Sequence, residues 1–302
     1  MANPLVSVII PTFNHGLFVE EAIRSVENLT DDRIEIIVVD DGSTDETSKA
    51  ISKKLQDQGY NIFIRENQGV AASRNFGIRQ AKGKYIIPLD ADNRILPPYL
   101  SNGIEILESN PEIAVVFGDA KIFGEKGGTW VNHPLQLDEI IFENYIDNCT
   151  IYRKEAWETV GGYDENAPFH TREDWFFWLA LLGKGWKFKY LNVFCFEYRF
   201  LQNSKVRTKY SVLKNRLIIN SYIFPVQMQL LERFRSSGDL SKDTVRSLTA
   251  RLQSQLAHYH FITGNVFEGY RYLIQALQSG LSFGAFLNQA IGWPIRRMKS
   301  KG

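Results

Sequence analysis

The chain has 302 residues, 44% of them hydrophobic and 13% aromatic, with a formal net charge of +1; this supports a full-sized core, allows two domains, and gives no global attraction to nucleic acid. Two well-separated cysteines, Cys149 and Cys195, exclude a disulfide framework and a zinc spacing and fit free thiols in a reducing compartment. The amino terminus lacks the basic and long apolar regions of a signal peptide, and no run reaches the ~18 to 20 apolar residues of a membrane span, so the expectation is a cytoplasmic protein, soluble or peripheral on the inner membrane face.

The first half alternates short β-rich runs with helical patterns. An apolar run at 6–10 stops at Pro11, and a helix follows over about 18–28. A second apolar run, 34–39, ends in Asp40-Asp41-Gly42, and 44–55 reads as a helix. A strand at 61–65 precedes a helix at 70–81, and a strand at 85–89 ends in Asp90-Ala91-Asp92. Pro97-Pro98 opens a helix to about 109, where proline is tolerated in the first turn, and 113–117 is a further strand. Unbroken apolar strands alternating with helices predict an α/β fold with a mostly parallel sheet covered on both faces. Ligands in such sheets bind outside the carboxyl ends of the strands. Here those ends carry Pro11-Thr12, Asp40-Asp41 and Asp90-Ala91-Asp92.

Residues 130–199 are less regular. They contain Gly161-Gly162-Tyr163-Asp164, then Arg172-Glu173-Asp174-Trp175, then a strand at about 187–198. Beyond about 205 helical patterns take over: 206–236 interrupted by Pro225, then 242–263 and 265–279, with stops at Gly264-Asn265 and Ser279-Gly280, and a short terminal helix. The expected division is a catalytic domain over 1–205 and a helical region over 206–302. Residues 256–276 look like one hairpin of a tetratricopeptide-type repeat, but one hairpin is not an array, and a small helical cap is preferred.

Three acidic groups and one loop carry chemistry. Asp90 and Asp92, one residue apart at a strand end, can put one oxygen on a hard divalent cation that keeps substrate phosphates in its shell and the other near the ribose; the bland alternative is a solvated turn. Within Asp40 to Asp45, a carboxylate can accept the imide N–H of uracil, while Ser43 or Thr44 caps the next helix. Glu173-Asp174 opens an aromatic helix, so a carboxylate there is partly desolvated and sharpened as a base; alternatively the pair is an acidic first turn favoured by the helix dipole. Asn67-Gln68-Gly69 leads into a helix bearing Arg74, which meets either a phosphate or a neighbouring carboxylate. No lysine follows in the Walker manner, which excludes a P-loop.

In this order the segments SVIIPTFN (7–14), VVDDGSTDET (38–47), ENQGVAASRNFGI (66–78), GKYIIPLDADN (83–93), VGGYDE (160–165) and REDWFFWL (172–179) resemble the family 2 glycosyltransferases of the GT-A fold. The resemblance covers about two-thirds of the chain. It implies an inverting transfer of a sugar from a nucleotide-diphosphate donor, most plausibly a UDP-sugar, to an acceptor hydroxyl in polysaccharide, cell-surface glycan or glycolipid synthesis. It implies Pro11, Phe13 and Asp41 around the uracil, Thr12 in contact with the nucleotide-sugar, and Arg74 facing the nucleotide or its phosphates. Asp90 and Asp92 would form the Asp-x-Asp element, with Asp92 the ligand of Mn2+ or Mg2+. Asp174 would be the catalytic base, supported by Glu173, and Tyr198-Arg199 would lie near the diphosphate. Many relatives carry a histidine two residues beyond that arginine; this chain has Leu201 there and Gln202 next.

Two rivals are weaker. A nucleotidyltransferase needs a basic, glycine-rich triphosphate loop, and Pro11 to Gly16 holds no lysine or arginine. A non-catalytic nucleotide-sugar-binding or scaffolding protein has no need of the full set of acids. The acceptor, a glycan or a lipid-linked one, is expected to use residues 130–148 by position alone. At the end of the chain, Phe283, Phe286, Leu287, Ile291 and Trp293 precede Arg296, Arg297, Lys299 and Lys301. That pattern suits either an anionic lipid surface or packing onto the catalytic domain with a basic tail in solvent.

Overall fold

Val6–Thr12 (β1) and Ile34–Asp40 (β2) are apolar enough to bury both faces, and they pair in parallel from Val6↔Ile34 to Thr12↔Asp40. This computed structural model describes residues 4–168, 172–202, 213–280 and Ser282. Between the two strands, α1 (Gly16–Glu27) buries Val19, Ala22, Ile23 and Val26, one stripe at helical spacing. α2 (Glu46–Asp57), β3 (Asn61–Ile64), α3 (Val70–Gln80) and β4 (Tyr85–Pro88) complete a parallel set in the order β3-β2-β1-β4. The small residues of α3 have a packing reason. A Cβ on Gly77 would stand 2.6 Å from Cγ2 of Ile9, so the helix lies close against the sheet.

Beyond β4 the sheet becomes mixed. The remaining elements of this unit are β5 (Arg94–Ile95), α4 (Pro97–Ser109), β6 (Ile113–Gly124), β7 (Gly128–Trp130), α5 (Leu137–Ile140), β8 (Ile151–Arg153), α6 (Lys154–Val160), α7 (Glu173–Gly183) and β9 (Lys187–Phe200). β8 inserts antiparallel between β4 and β6, β9 runs parallel to β6, and β5 pairs antiparallel with β9 through Arg94↔Glu197 and Ile95↔Phe196. That last pairing brings the end of β9 beside the loop that carries Asp92. The core joins Val8, Ile10, Val38, Tyr85, Ile87, Leu89, Tyr99 and Val116. Cys149 and Cys195 are free and buried.

The chain divides into two compact units, residues 1–208 and 209–302. The second contains α8 (Leu213–Ser237), α9 (Lys242–Ile262) and α10 (Val266–Gln278). Here one expectation is corrected: α8 runs through Pro225 without a break. Ser241 caps α9 by accepting from the Thr244 N–H at 3.1 Å. Ala257 and Leu273 join α9 to α10. Among the described residues no helix is long and apolar enough to cross a membrane. The aromatic and basic tail from Phe283 to Lys301 lies outside the described residues.

Candidate active site

The loops after β1 and β2 are stapled together by Asn14, whose backbone is left-handed at φ 57. Its side-chain oxygen accepts from the N–H of Thr44 at 2.8 Å, and its own N–H donates to Ser43 Oγ at 3.0 Å. Those contacts occupy the residues expected to cap α2. The cap is instead Asp45, which accepts from the Ser48 N–H at 2.8 Å. Asp40 is also structural: it accepts from the Ser43 N–H at 2.8 Å and the Ser52 hydroxyl at 2.6 Å. Asp41, 4% exposed, accepts the N–H groups of Gln68 at 3.1 Å and Gly69 at 2.8 Å, one on each oxygen. Each oxygen keeps a second lone pair. Gly42 makes this approach possible: its φ is +75, and a Cβ there would press to 2.9 Å from the Arg65 carbonyl. Pro11 and Thr12 are buried at the end of β1 and Phe13 is partly exposed. The Thr12 hydroxyl is buried without a hydrogen-bond partner.

The loop between β4 and β5 carries Asp90 and Asp92. Arg199, on β9, fixes its backbone: Nε donates to the Asp92 carbonyl at 2.9 Å, and the Arg199 N–H donates to Asn93 Oδ1 at 2.9 Å. Glu21 on α1 takes the far end of Arg199 and also pairs with Arg94. The Arg199 guanidinium stacks over Phe18 and Phe123, at 4.5 and 4.3 Å from the ring centroids. Arg199 thus holds the Asp92 loop rather than standing free.

Arg74 pairs with two carboxylates. Only 3% exposed, it donates to Asp90 Oδ1 at 2.7 Å and pairs through its other nitrogen with Glu173. Burial opposes its charge, but Asp90 and Glu173 outweigh burial and hold the guanidinium firmly protonated. Asn148, with its amide turned so that the oxygen faces Arg74, accepts from Nε at 3.0 Å and donates to the Tyr163 hydroxyl at 2.9 Å. Through Arg74, the strand-end acids and the first turn of α7 become one site.

Asp174 differs from its neighbour. Glu173 is neutralised by Arg74, whereas burial and the Glu173 charge raise the pKa of Asp174. Its Oδ2 accepts from Asn144 Nδ2 at 2.7 Å, and Oδ1 accepts the Trp175 N–H at 2.8 Å. Asp147, on the loop before β8, is pushed up to about 8 by burial and by Asp90, with Asp174 adding to the repulsion.

The donor set fits a cation. Burial and Asp90 push Asp92 up to about 6, with Arg199 as the charge that opposes the shift. A half-buried carboxylate pair of this kind gains from a hard cation. Among the described residues no three His, Cys, Asp or Glu side chains converge into a metal-holding group, so Asp92 and Asp90 would leave the rest of the coordination shell to phosphate oxygens and water.

Asn144, Asp147, Asn148, Tyr163 and Glu21 also belong to this neighbourhood; the first three fall in the stretch 130–148 that position alone suggested for the acceptor, and none was singled out individually. Asn144, Tyr163 and Glu21 reach Asp174, Asn148 and Arg199 across 30, 15 and 178 positions, distances no local pattern spans. Only Tyr163 carried a signal, as the third residue of Gly161-Gly162-Tyr163-Asp164.

The chain is similar to several known proteins. A Bacillus subtilis (strain 168) protein, "Putative teichuronic acid biosynthesis glycosyltransferase TuaG", is 29% identical over 219 residues, covering 70% of this chain and 85% of that one. Matches to Rickettsia glycosyltransferases span 30% or less of those longer proteins. Among solved structures, Staphylococcus aureus TarS 1–349 in complex with UDP superposes with a TM-score of 0.55 at 17% identity, covering 92% of this chain and 93% of that one. The Pyrobaculum calidifontis mannosyltransferase PcManGT, solved with GDP-Man and Mn2+, superposes with a TM-score of 0.56 at 16% identity, covering 99% and 84%. These superpositions show the GT-A fold. The sequence profile of glycosyl transferase family 2 matches residues 7–174, more than half of the chain; the chain belongs to that family and is a glycosyltransferase.

Proposed function

We propose that the protein is an inverting, metal-dependent glycosyltransferase that moves a sugar from a UDP-sugar to a hydroxyl of a glycan or lipid-linked acceptor in cell-surface glycan synthesis. The observation that carries this reading is the Arg74 bridge between Asp90 and Glu173, which puts the cation motif and the base in one site. Pro11, Thr12, Phe13 and Asp41 receive the uracil; the unpartnered Thr12 hydroxyl and the spare lone pairs of Asp41 support that assignment. Asp92, with Asp90 beside it, would hold Mn2+ or Mg2+, which would neutralise the leaving diphosphate. Arg74 serves the donor by fixing Asp90, and Arg199 by fixing the Asp92 backbone. Asp174 takes the proton of the acceptor hydroxyl as it attacks the anomeric carbon; attack opposite the leaving group inverts the stereochemistry. Glu173 is already paired with Arg74 and supports the turn that carries Asp174.

Catalysis is assigned to residues 1–205, and the helical region to docking, with peripheral contact on an anionic membrane through the basic tail. The relative named for teichuronic acid biosynthesis supports a surface-glycan product. The neighbours were solved with UDP in one case and GDP-Man in the other, so the base preference rests on Asp41 and Phe13 of this chain. The test is release of the nucleotide diphosphate from a panel of UDP- and GDP-sugars, with Mn2+ and with chelator. Release from a UDP-sugar that needs the metal is the expected result. Binding without release indicates a non-catalytic nucleotide-sugar binder, and equal use of GDP-sugars removes the uracil assignment.

A further inference from the structure

The loop that joins α5 to β8 is fastened to α7 at three points. Trp175 Nε1 donates to the Ile140 carbonyl at 2.6 Å, and Trp178 Nε1 donates to the Ile146 carbonyl at 3.3 Å. Both indoles are buried, at 3% and 0% exposure. Between those anchors, Asn144 Nδ2 donates to Asp174 Oδ2 at 2.7 Å. The amide cannot be reversed without loss, because its oxygen accepts the Ile146 N–H at 3.1 Å. The aromatic run Trp175-Phe176-Phe177-Trp178 therefore does more than fill the core: its two indoles hold a loop whose one amide points at one carboxylate oxygen.

We infer that Asn144 is a positioning residue for Asp174, aiming the Oδ2 oxygen and favouring its ionised form. This rests on the reading of Asp174 as the base. The groups that face Asp174 are Glu173 and Arg172 from its own segment, Arg74 from α3, and Asp147 from the same loop as Asn144. Glu173 and Asp147 oppose ionisation, and Arg172 and Arg74 favour it. Asn144 adds a neutral donor on the side of the ionised form. The physical consequence is a base whose ionised form gains a neutral donor in a setting where burial works against it.

The test has a readout that needs no substrate. The full chain is labelled with aspartate carrying carbon-13 at the side-chain carboxyl, and the Asp174 signal is assigned by its disappearance in Asp174→Asn. In Asn144→Ala the Asp174 midpoint should rise by about one pH unit, the size expected for loss of one hydrogen bond to a carboxylate. Asn144→Asp, nearly isosteric and so the variant to use if the alanine protein fails to fold, should raise it further by placing a second carboxylate alongside. The acid limb of the pH profile for UDP-sugar turnover should move to higher pH by the same amount, with UDP affinity unchanged. An Asp174 midpoint that stays within about 0.2 units of the parent in both variants overturns the inference. Undiminished turnover in Asp174→Asn would instead remove the reading of the base and leave the titration result for Asn144 standing.

Discussion

Two acidic regions at neighbouring strand ends behave in opposite ways. After β2, Asp40 and Asp41 accept four hydrogen bonds between them, three from backbone N–H groups and one from Ser52. After β4, before β8 and at the start of α7, burial raises the pKa of Asp92, Asp147 and Asp174, with a neighbouring carboxylate adding to each shift. A carboxylate held mainly by backbone donors builds a loop; one pushed up by burial and like charge retains its capacity to take a proton or a cation. Arg74 marks the border, since it neutralises Glu173 and leaves Asp174 beside it unpaired with any arginine it touches. The difference separates the acids that shape the nucleotide loops from those that act on the donor and acceptor.

That contrast can be broken at its border. Arg74→Met removes the shared cation and leaves Glu173 buried with no partner of opposite charge. Breaking a buried pair in this way costs roughly 3 to 5 kcal/mol, and chemical denaturation should show a loss of that order. A loss below about 1 kcal/mol would mean that the bridge is not what joins the two halves of the site.

An effect with a definite pH signature is expected at Asp147. Its folded pKa, about 8, lies above the ordinary carboxylate value near 3.9. Above pH 8 the group is ionised in both the folded and unfolded states, and the folded state bears the full unfavourable cost. As pH falls through 8 the folded protein takes up the proton and the cost declines, vanishing below about pH 4. Asp147→Asn keeps the oxygen that accepts the Cys149 N–H. In metal-free protein it should raise the melting temperature most above pH 8, with the gain shrinking towards pH 4. A gain that grows as pH falls would reverse the sign of the argument.

The smallest effect sharpens the contrast from the structural side. Asp45→Ala removes the cap of α2 and should cost about 1 kcal/mol, with turnover per folded molecule unchanged. A drop in turnover greater than about tenfold would show that the loops after β1 and β2 are coupled to the chemistry more tightly than their hydrogen bonds indicate.

The parallel half of the fold was legible in the sequence because β1, β2 and β4 are continuous apolar runs that end in polar punctuation. The strands at Arg94–Ile95, Gly128–Trp130 and Ile151–Arg153 were not, being two or three residues long; pairing with distant strands defines them, and periodicity cannot be counted over so few positions. Pro225 misled for a different reason. Proline removes one N–H and crowds one carbonyl, but α8 continues through it from Leu213 to Ser237. At the site, Asp90, Asp92, Glu173 and Asp174 stood out by spacing and context. Asn144 did not, because an asparagine in an irregular loop shows nothing until the indoles of Trp175 and Trp178 draw that loop onto α7.

The central claim is that Asp174 serves the acceptor while the nucleotide is held elsewhere, and Asp174→Asn tests it most directly. Calorimetry with UDP and Mn2+ and turnover of the same donor are measured on one preparation. The account predicts UDP affinity within about twofold of the parent and turnover reduced about a thousandfold, the scale of a lost general base. Loss of UDP binding in step with turnover, or turnover that persists, would contradict it.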